Sequence, residues 1–210
     1  MAIEYIIDAV AFLKQEYGDI SPMALAHSKG ILVDAQHYGN IQESFRGFAI
    51  QLHGKLHITL NLDQDEVMQQ VCLAHELGHC ILHPYSADAR SFTSLSLDNT
   101  STTEYEASLF AAEYLINDND ILTLCHDGYS VQQIACSLGY PVELIVLKVK
   151  LLLCVGRQKP VDLRFGWEKL RRRHFGADWR LCGPVCGFRG QGAGAPRCHR
   201  NLRAVCADFV

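Results

Sequence analysis

Two histidines lie four residues apart in the segment His75-Glu76-Leu77-Gly78-His79, with a glutamate directly after the first. Positions i and i+4 of an α-helix lie on the same face, so both imidazoles could bind one metal ion. Glu76 falls on an adjoining part of that face, where its carboxylate could reach a water molecule at the metal. The pattern H-E-x-x-H therefore predicts a zinc ion (Zn²⁺) bound by two histidines, with the glutamate as general base for hydrolysis.

The residues around this motif have the periodicity of an amphipathic helix. One stripe at helical spacing contains Val71, Ala74, His75, Gly78, His79 and Leu82. We predict that the helix begins near residues 63–66 and ends at Pro84. A glycine in a helix interior costs about 1 kcal/mol relative to alanine. Gly78 therefore predicts a close packing contact, such as a second helix that passes at this position.

A catalytic zinc site needs a third protein ligand, because such sites hold the metal with three side chains and a water. The residues downstream that could supply it are His83, Glu104, Glu106, Glu113 and His126. A metzincin has its third histidine six residues after the second, but that position is Tyr85. His83 stands at the predicted helix end, beside Pro84, so the carboxylates of the next helix are the stronger candidates.

The next helix is predicted over residues 103–116, and its apolar stripe decides between two of these carboxylates. The stripe contains Ala107, Phe110, Ala111, Tyr114 and Leu115. At 100° per residue, Glu104 lies about 50° from the centre of the stripe and Glu106 about 110°. Glu104 thus faces inward, where a carboxylate needs a partner such as a metal ion. Capping boxes, Ser101 with Glu104 or Thr103 with Glu106, are the alternative explanation for these glutamates.

Together the two helices resemble the ImmA/IrrE family of metallopeptidases. This family shows H-E-[L/I]-G-H followed by E-x-x-A-N-x-F-A-A-x-L-L, and residues 104–115 of the chain read E-Y-E-A-S-L-F-A-A-E-Y-L. The resemblance covers roughly residues 3–155. It implies that His75, His79 and Glu104 are the zinc ligands and that Glu76 is the catalytic base.

The sequence departs from the family pattern at two positions. Ser108 stands where the family usually has Asn, and Asn117 stands near a frequent Pro. We expect neither residue to touch a proposed ligand. The group that stabilises the oxyanion is not fixed by the pattern, and four side chains could serve: His83, Tyr85, Tyr105 and His126.

The resemblance also implies a biological role. Family members typically occur beside a helix-turn-helix repressor on a phage or another mobile element and cleave it, which relieves repression. The expected activity is therefore zinc-dependent hydrolysis of peptide bonds in such a repressor. The alternative is a non-catalytic, zinc-containing regulator that binds a repressor or DNA. The presence of Glu76 argues against it, because a structural metal site has no need of a general base.

An α+β, zincin-like fold is predicted, with a small β-hairpin beside the H-E-x-x-H helix. Alternating apolar residues over 45–61 predict the hairpin, which could bind a substrate in extended form. Residues 86–103 lack periodicity and predict a loop. A helical pair is predicted at about residues 130–154. Its second helix is mostly apolar and carries only two lysines, which favours core packing over DNA recognition.

Charge and composition change near residue 156. Residues 1–156 carry 7 Lys and Arg against 19 Asp and Glu, whereas residues 157–210 carry 12 against 4. We expect a zinc metallopeptidase domain over 1–156 and a basic, Gly- and Cys-rich extension over 157–210 that is poorly ordered. A second zinc site in the extension would use Cys182, Cys186, Cys198 and His199.

The chain shows no signal for secretion or membrane insertion. The residues after Met1 lack a basic start, and Asp8 interrupts the apolar run. No stretch has the roughly 20 uninterrupted apolar residues needed to span a bilayer. We therefore expect a cytoplasmic protein. The sequence indicates no oligomeric state.

Overall fold

The computed structural model of the protein describes residues 3–38, 46–84, 91–92 and 101–154. The expectations for residues 157–210, and for most of the predicted loop 86–103, lie outside the described residues. The chain divides into two compact units, Met1–Asn117 and Asp118–Val210, and each is described by itself.

The first unit combines helices with a small sheet, which confirms the predicted α+β class. Its described elements in chain order are α1 (Glu4–Tyr17), α2 (Pro22–Ser28), β1 (Leu32–Gln36), β2 (Gly47–Leu52), β3 (Lys55–Asn61), α3 (Glu66–Leu82), β4 (Ser91–Phe92) and α4 (Thr102–Leu115). α3 is the helix of the H-E-x-x-H motif, and it packs against β2 and β3 on one side and α4 on another. The short β4 lies within the segment that was predicted to be a loop.

The sheet has the strand order β1-β3-β2-β4. β2 and β3 form the predicted antiparallel hairpin, with Leu52 opposite Lys55. Both residues of its turn, His53 and Gly54, have positive φ angles of 49° and 76°, as a type I′ turn requires. β1 adds to β3 in parallel, with Leu32 opposite His57. The strand predicted at residues 31–33 is observed at Leu32–Gln36, so it extends further than expected.

Local sequence signals position α3. The side chain of Asp65 accepts a hydrogen bond of 2.8 Å from the backbone N–H of Met68, which caps the first turn. The helix ends at Leu82, and the N–H of His83 donates to the carbonyl of His79. These bounds agree with the predicted start near residues 63–66 and the predicted stop before Pro84.

α4 begins one residue earlier than predicted, and neither capping box is present. Ser101 is its N-cap residue but makes no side-chain capping bond. The carboxylate of Glu104 instead faces α3, and that of Glu106 lies 3.2 Å from the Nε2 atom of His83. At the other end of α4, the hydroxyl of Tyr114 donates a 2.9 Å hydrogen bond to the carbonyl of Ile20.

Gly78 of α3 lies directly against α4, which confirms the close packing that the sequence predicted. A Cβ atom at Gly78 would lie 3.0 Å from the Cα atom of Ala107 and 3.2 Å from the Cβ atom of Phe110. The two helix backbones therefore approach as closely as a glycine permits. This approach places the first turns of α4 beside the histidines of α3.

The described part of the second unit consists of three helices, α5 (Asp118–His126), α6 (Val131–Leu138) and α7 (Val142–Cys154). α6 has the capping box of Ser130 and Gln133 that the sequence predicts, and it ends at Gly139 in the left-handed conformation. Lys148, one of the two lysines of α7, is buried and paired with Asp118. No helix in the described residues is long and apolar enough to cross a membrane.

The contact at Gly78 predicts the effect of an added methyl group. Gly78→Ala should lower the free energy of unfolding by about 1–3 kcal/mol, because overpacking against the backbone of Ala107 exceeds the gain in helix propensity. Urea unfolding of the metal-free variant, compared with the wild-type chain, measures this difference. A variant as stable as the wild type would show that α4 can move away freely.

Candidate metal centre

His75, His79 and Glu104 converge where α3 meets α4. The Nε2 atoms of the two histidines are 3.1 Å apart. The carboxylate of Glu104 lies 3.2 Å from His75 Nε2 through one oxygen and 3.5 Å from His79 Nε2 through the other. Within the described residues, this is the one group of three side chains whose ligand atoms could hold a metal ion together.

The spacing of these three donors suits a small divalent metal. Tetrahedral zinc with bonds of about 2.0–2.1 Å holds neighbouring ligand atoms about 3.3–3.4 Å apart. The two Nε2 atoms are 3.1 Å apart, and each has an oxygen of Glu104, a different one for each histidine, at 3.2 or 3.5 Å. Two imidazole nitrogens and one carboxylate oxygen are also a donor set found in catalytic zinc sites, which leave one position open. The residues present therefore fit a metal ion.

Burial and neighbouring charges set the protonation states of the proposed ligands. The imidazole of His75 is fully buried, and this burial is the main reason that its pKa falls to about 4. The facing imidazoles of His75 and then His79 hold the pKa of the Glu104 carboxyl well below its usual range. His75 is therefore neutral and Glu104 charged near neutral pH, and these are the protonation states in which both side chains can bind a metal.

Glu76 is buried beside the same face of α3, with 1% of its surface exposed. Among the described residues, neither of its carboxylate oxygens has an aligned hydrogen-bond partner. Burial, and then the negative charge of Glu104, raise the pKa of Glu76 to about 8, while the backbone of Ala49 in β2 acts weakly in the opposite direction. A raised pKa near neutrality suits a group that accepts and returns a proton.

The structure corrects one expectation about Ser108. Its hydroxyl oxygen lies 3.3 Å from the Nδ1 atom of His75, so the departure from the family pattern does touch a proposed ligand. Ser108 follows Glu104 by four residues, which puts both side chains on the same face of α4. This spacing is the signal that could have identified it.

The remaining sequence candidates do not join the cluster. His83 lies one turn after His79, with ring centroids 6.1 Å apart, and its Nε2 atom lies 3.2 Å from a carboxylate oxygen of Glu106. Glu113 is buried further along α4.

Three further residues were predicted as groups that could stabilise the oxyanion. Tyr105 is buried in the first unit. His126 is on the surface, with its Nδ1 atom 3.7 Å from a carboxylate oxygen of Asp127. Tyr85 lies outside the described residues. The contacts of the described candidates do not identify any of them as the group that stabilises the oxyanion.

An α+β fold with an H-E-x-x-H helix and a His-His-Glu cluster defines the class of metallopeptidase-like proteins. The comparison with protein families agrees, because the model of the IrrE N-terminal-like domain, Peptidase_M78, matches residues 26–150. The chain belongs to this peptidase family, which confirms the ImmA/IrrE resemblance.

One relative among curated proteins is the uncharacterized immunity region protein 2 of Bacillus phage phi105. It is 29% identical over 140 residues, which are 67% of this chain and 86% of that protein. The comparison with solved structures gives no match.

The raised pKa of Glu76 predicts how the stability of the metal-free protein depends on pH. The folded state keeps the proton of Glu76 between pH 4.5 and about 8, whereas the unfolded chain loses it. The stabilising contribution of Glu76 should therefore be lost as pH rises through this range, by up to about 1.4 kcal/mol per pH unit.

Urea unfolding of the wild type and of Glu76→Gln at several pH values isolates this effect. The stability of the wild type relative to the variant should fall from pH 5 towards pH 8. Glu66→Gln, at an exposed position of the same helix, controls for the loss of one negative charge. A stability difference for Glu76→Gln that is independent of pH would contradict the prediction.

Proposed function

We propose that the protein is a zinc-dependent endopeptidase, with His75, His79 and Glu104 as zinc ligands and Glu76 as the general base. One observation carries the proposal. The buried carboxylate of Glu76 has no aligned partner in the described residues and lies next to a cluster that fits a metal. A carboxylate buried without a partner is costly for stability, and a role in proton transfer explains why it is there.

The chain's own side chains have distinct tasks in this reaction. Zinc supplies a Lewis acid that polarises the scissile carbonyl and favours deprotonation of water near neutral pH. Glu76 accepts the proton of the attacking water and passes it to the leaving amine. The low-dielectric surroundings of Glu76 strengthen its affinity for that proton. Glu104 and the two histidines do not transfer protons, because their facing atoms hold the metal.

The sheet edge next to the site supports binding of an extended peptide. β2 packs against α3, with the backbone of Ala49 close to Glu76, and β4 pairs with β2 only at Gly47 and Phe48. Among the described residues, no strand pairs with the rest of that edge of β2. Peptides commonly add to such an edge through main-chain hydrogen bonds.

The proposed substrate is a helix-turn-helix transcriptional repressor, whose cleavage would relieve repression in the cytoplasm. Membership of the family supports this substrate, and so does the relative whose name refers to an immunity region of a phage. We further propose that the peptidase domain comprises residues 1–156, a range that contains the family match over residues 26–150. Residues 157–210 would be an extension that the reaction does not use.

Glu76→Gln tests catalysis separately from metal binding. The variant should bind zinc as the wild type does but lose peptide-bond cleavage, because the amide cannot accept a proton. The measurement is incubation with the helix-turn-helix repressor encoded next to the gene, with and without a chelator, followed by mass spectrometry of the fragments. Intact repressor bound by the zinc-loaded wild type would instead favour the non-catalytic regulator.

Substitutions at Glu104 and Glu106 distinguish a metal ligand from a residue that only supports the ligands. Glu104→Ala should weaken zinc binding by more than the roughly 10- to 100-fold typical of residues that only support ligands. Glu106→Ala is the matched control, since Glu106 lies two residues away on the same helix but contacts His83. Competition with a chelator of known affinity measures both. Equal zinc affinities of the two variants would exclude Glu104 as a ligand.

A further inference from the structure

Ser108 is buried between two of the proposed ligands. None of its surface is exposed, and its hydroxyl oxygen lies 2.8 Å from the backbone carbonyl of Glu104 and 3.3 Å from the Nδ1 atom of His75. A serine within a helix often bonds to the carbonyl four residues earlier, and Ser28 makes such a bond to Ala24. This common helical hydrogen bond explains the contact of Ser108 with Glu104 but not its contact with His75.

The single proton of the hydroxyl decides the direction of both bonds. A carbonyl oxygen can only accept, so Ser108 donates its proton to the carbonyl of Glu104. Towards His75 the hydroxyl then has only lone pairs to offer. This contact therefore favours the tautomer of His75 that carries its proton on Nδ1 and donates it to Ser108. The carboxylate of Glu104, 3.2 Å from Nε2, favours the opposite tautomer until a cation lies between the two atoms.

This direction fixes which nitrogen of His75 is available to a metal. A neutral imidazole has one proton, so with Nδ1 protonated the Nε2 atom presents a lone pair. The Nε2 atom is the one that faces Glu104 and His79, at 3.2 and 3.1 Å. Histidines that bind metals commonly donate their second ring N–H to an oxygen, which fixes both tautomer and orientation.

We propose that Ser108 is a positioning residue that holds His75 in the tautomer and orientation required for metal binding. The same hydroxyl ties the backbone of Glu104 to the ring of His75, so it fixes a ligand of α4 relative to a ligand of α3. The inference rests on the proposed metal site, but not on the reaction that occurs there.

The test uses the full chain and two measurements that need no substrate. Ser108→Ala should weaken zinc binding roughly 10- to 100-fold, as loss of such a supporting bond does. Ser108→Thr, which keeps a hydroxyl, should retain most of the affinity. Ser28→Ala removes a similar helical serine bond at an exposed position and should leave zinc affinity within about twofold. Competition with a chelator gives the affinities.

The second measurement reports the tautomer directly in the metal-free protein. Long-range ¹H–¹⁵N correlation spectra should show a larger fraction of His75 with its proton on Nδ1 in the wild type than in Ser108→Ala, because the variant keeps only the contact of Nε2 with Glu104. If the alanine variant does not fold, Ser108→Cys preserves the volume with a weak acceptor and should change both measurements in the same direction.

Unchanged zinc affinity and an unchanged tautomer in Ser108→Ala would overturn the proposal. A wild type that binds zinc, shows the expected tautomer and yet cleaves no repressor would leave the role of Ser108 intact and refute the proposed function. The two failures are therefore distinguishable.

Discussion

The close approach of α3 and α4 is the constraint on which the site depends. At Gly78 the backbones of the two helices meet, and the Cα and carbonyl oxygen of Ala107 leave no space for a Cβ atom. Two of the proposed ligands lie on α3 and the third on α4, so the separation between the helices sets the distance from Glu104 to His75 and His79. A larger residue at Gly78 would move Glu104 by a fraction of an ångström, which is a large displacement relative to a metal–ligand bond.

Electrostatics at this crossing favour a bound cation. Four ionisable groups share a largely buried space, and the structure keeps Glu104 charged and His75 neutral. When the proton of His75 is on Nδ1, the lone pair of Nε2 faces the carboxylate of Glu104, and a cation between the two atoms would bind both. Glu76 adds a further buried carboxyl beside them. Burial of the Glu76 carboxyl beside the charged Glu104 lowers the stability of the fold at this point. Such local losses of stability are common at catalytic sites.

Periodicity and spacing predicted much of this architecture. The helical stripe located α3, the alternation of residues 45–61 located the hairpin, and the helical wheel placed Glu104 rather than Glu106 towards α3. These predictions succeed because they depend on residues that are close in sequence. Two features were missed because they depend on contacts distant in sequence. The parallel pairing of β1 with β3 was one, and the contact of Ser108 with His75 across the helix crossing was the other.

The most direct measurement of the central claim is a crystal structure of the zinc-loaded protein with diffraction data collected on both sides of the zinc absorption edge. The anomalous map should show one strong peak within about 2.0–2.2 Å of the His75 and His79 Nε2 atoms and a Glu104 oxygen, with Glu76 close by but not bonded to the metal. A zinc peak located elsewhere, or none in crystals grown with excess zinc, would contradict this claim.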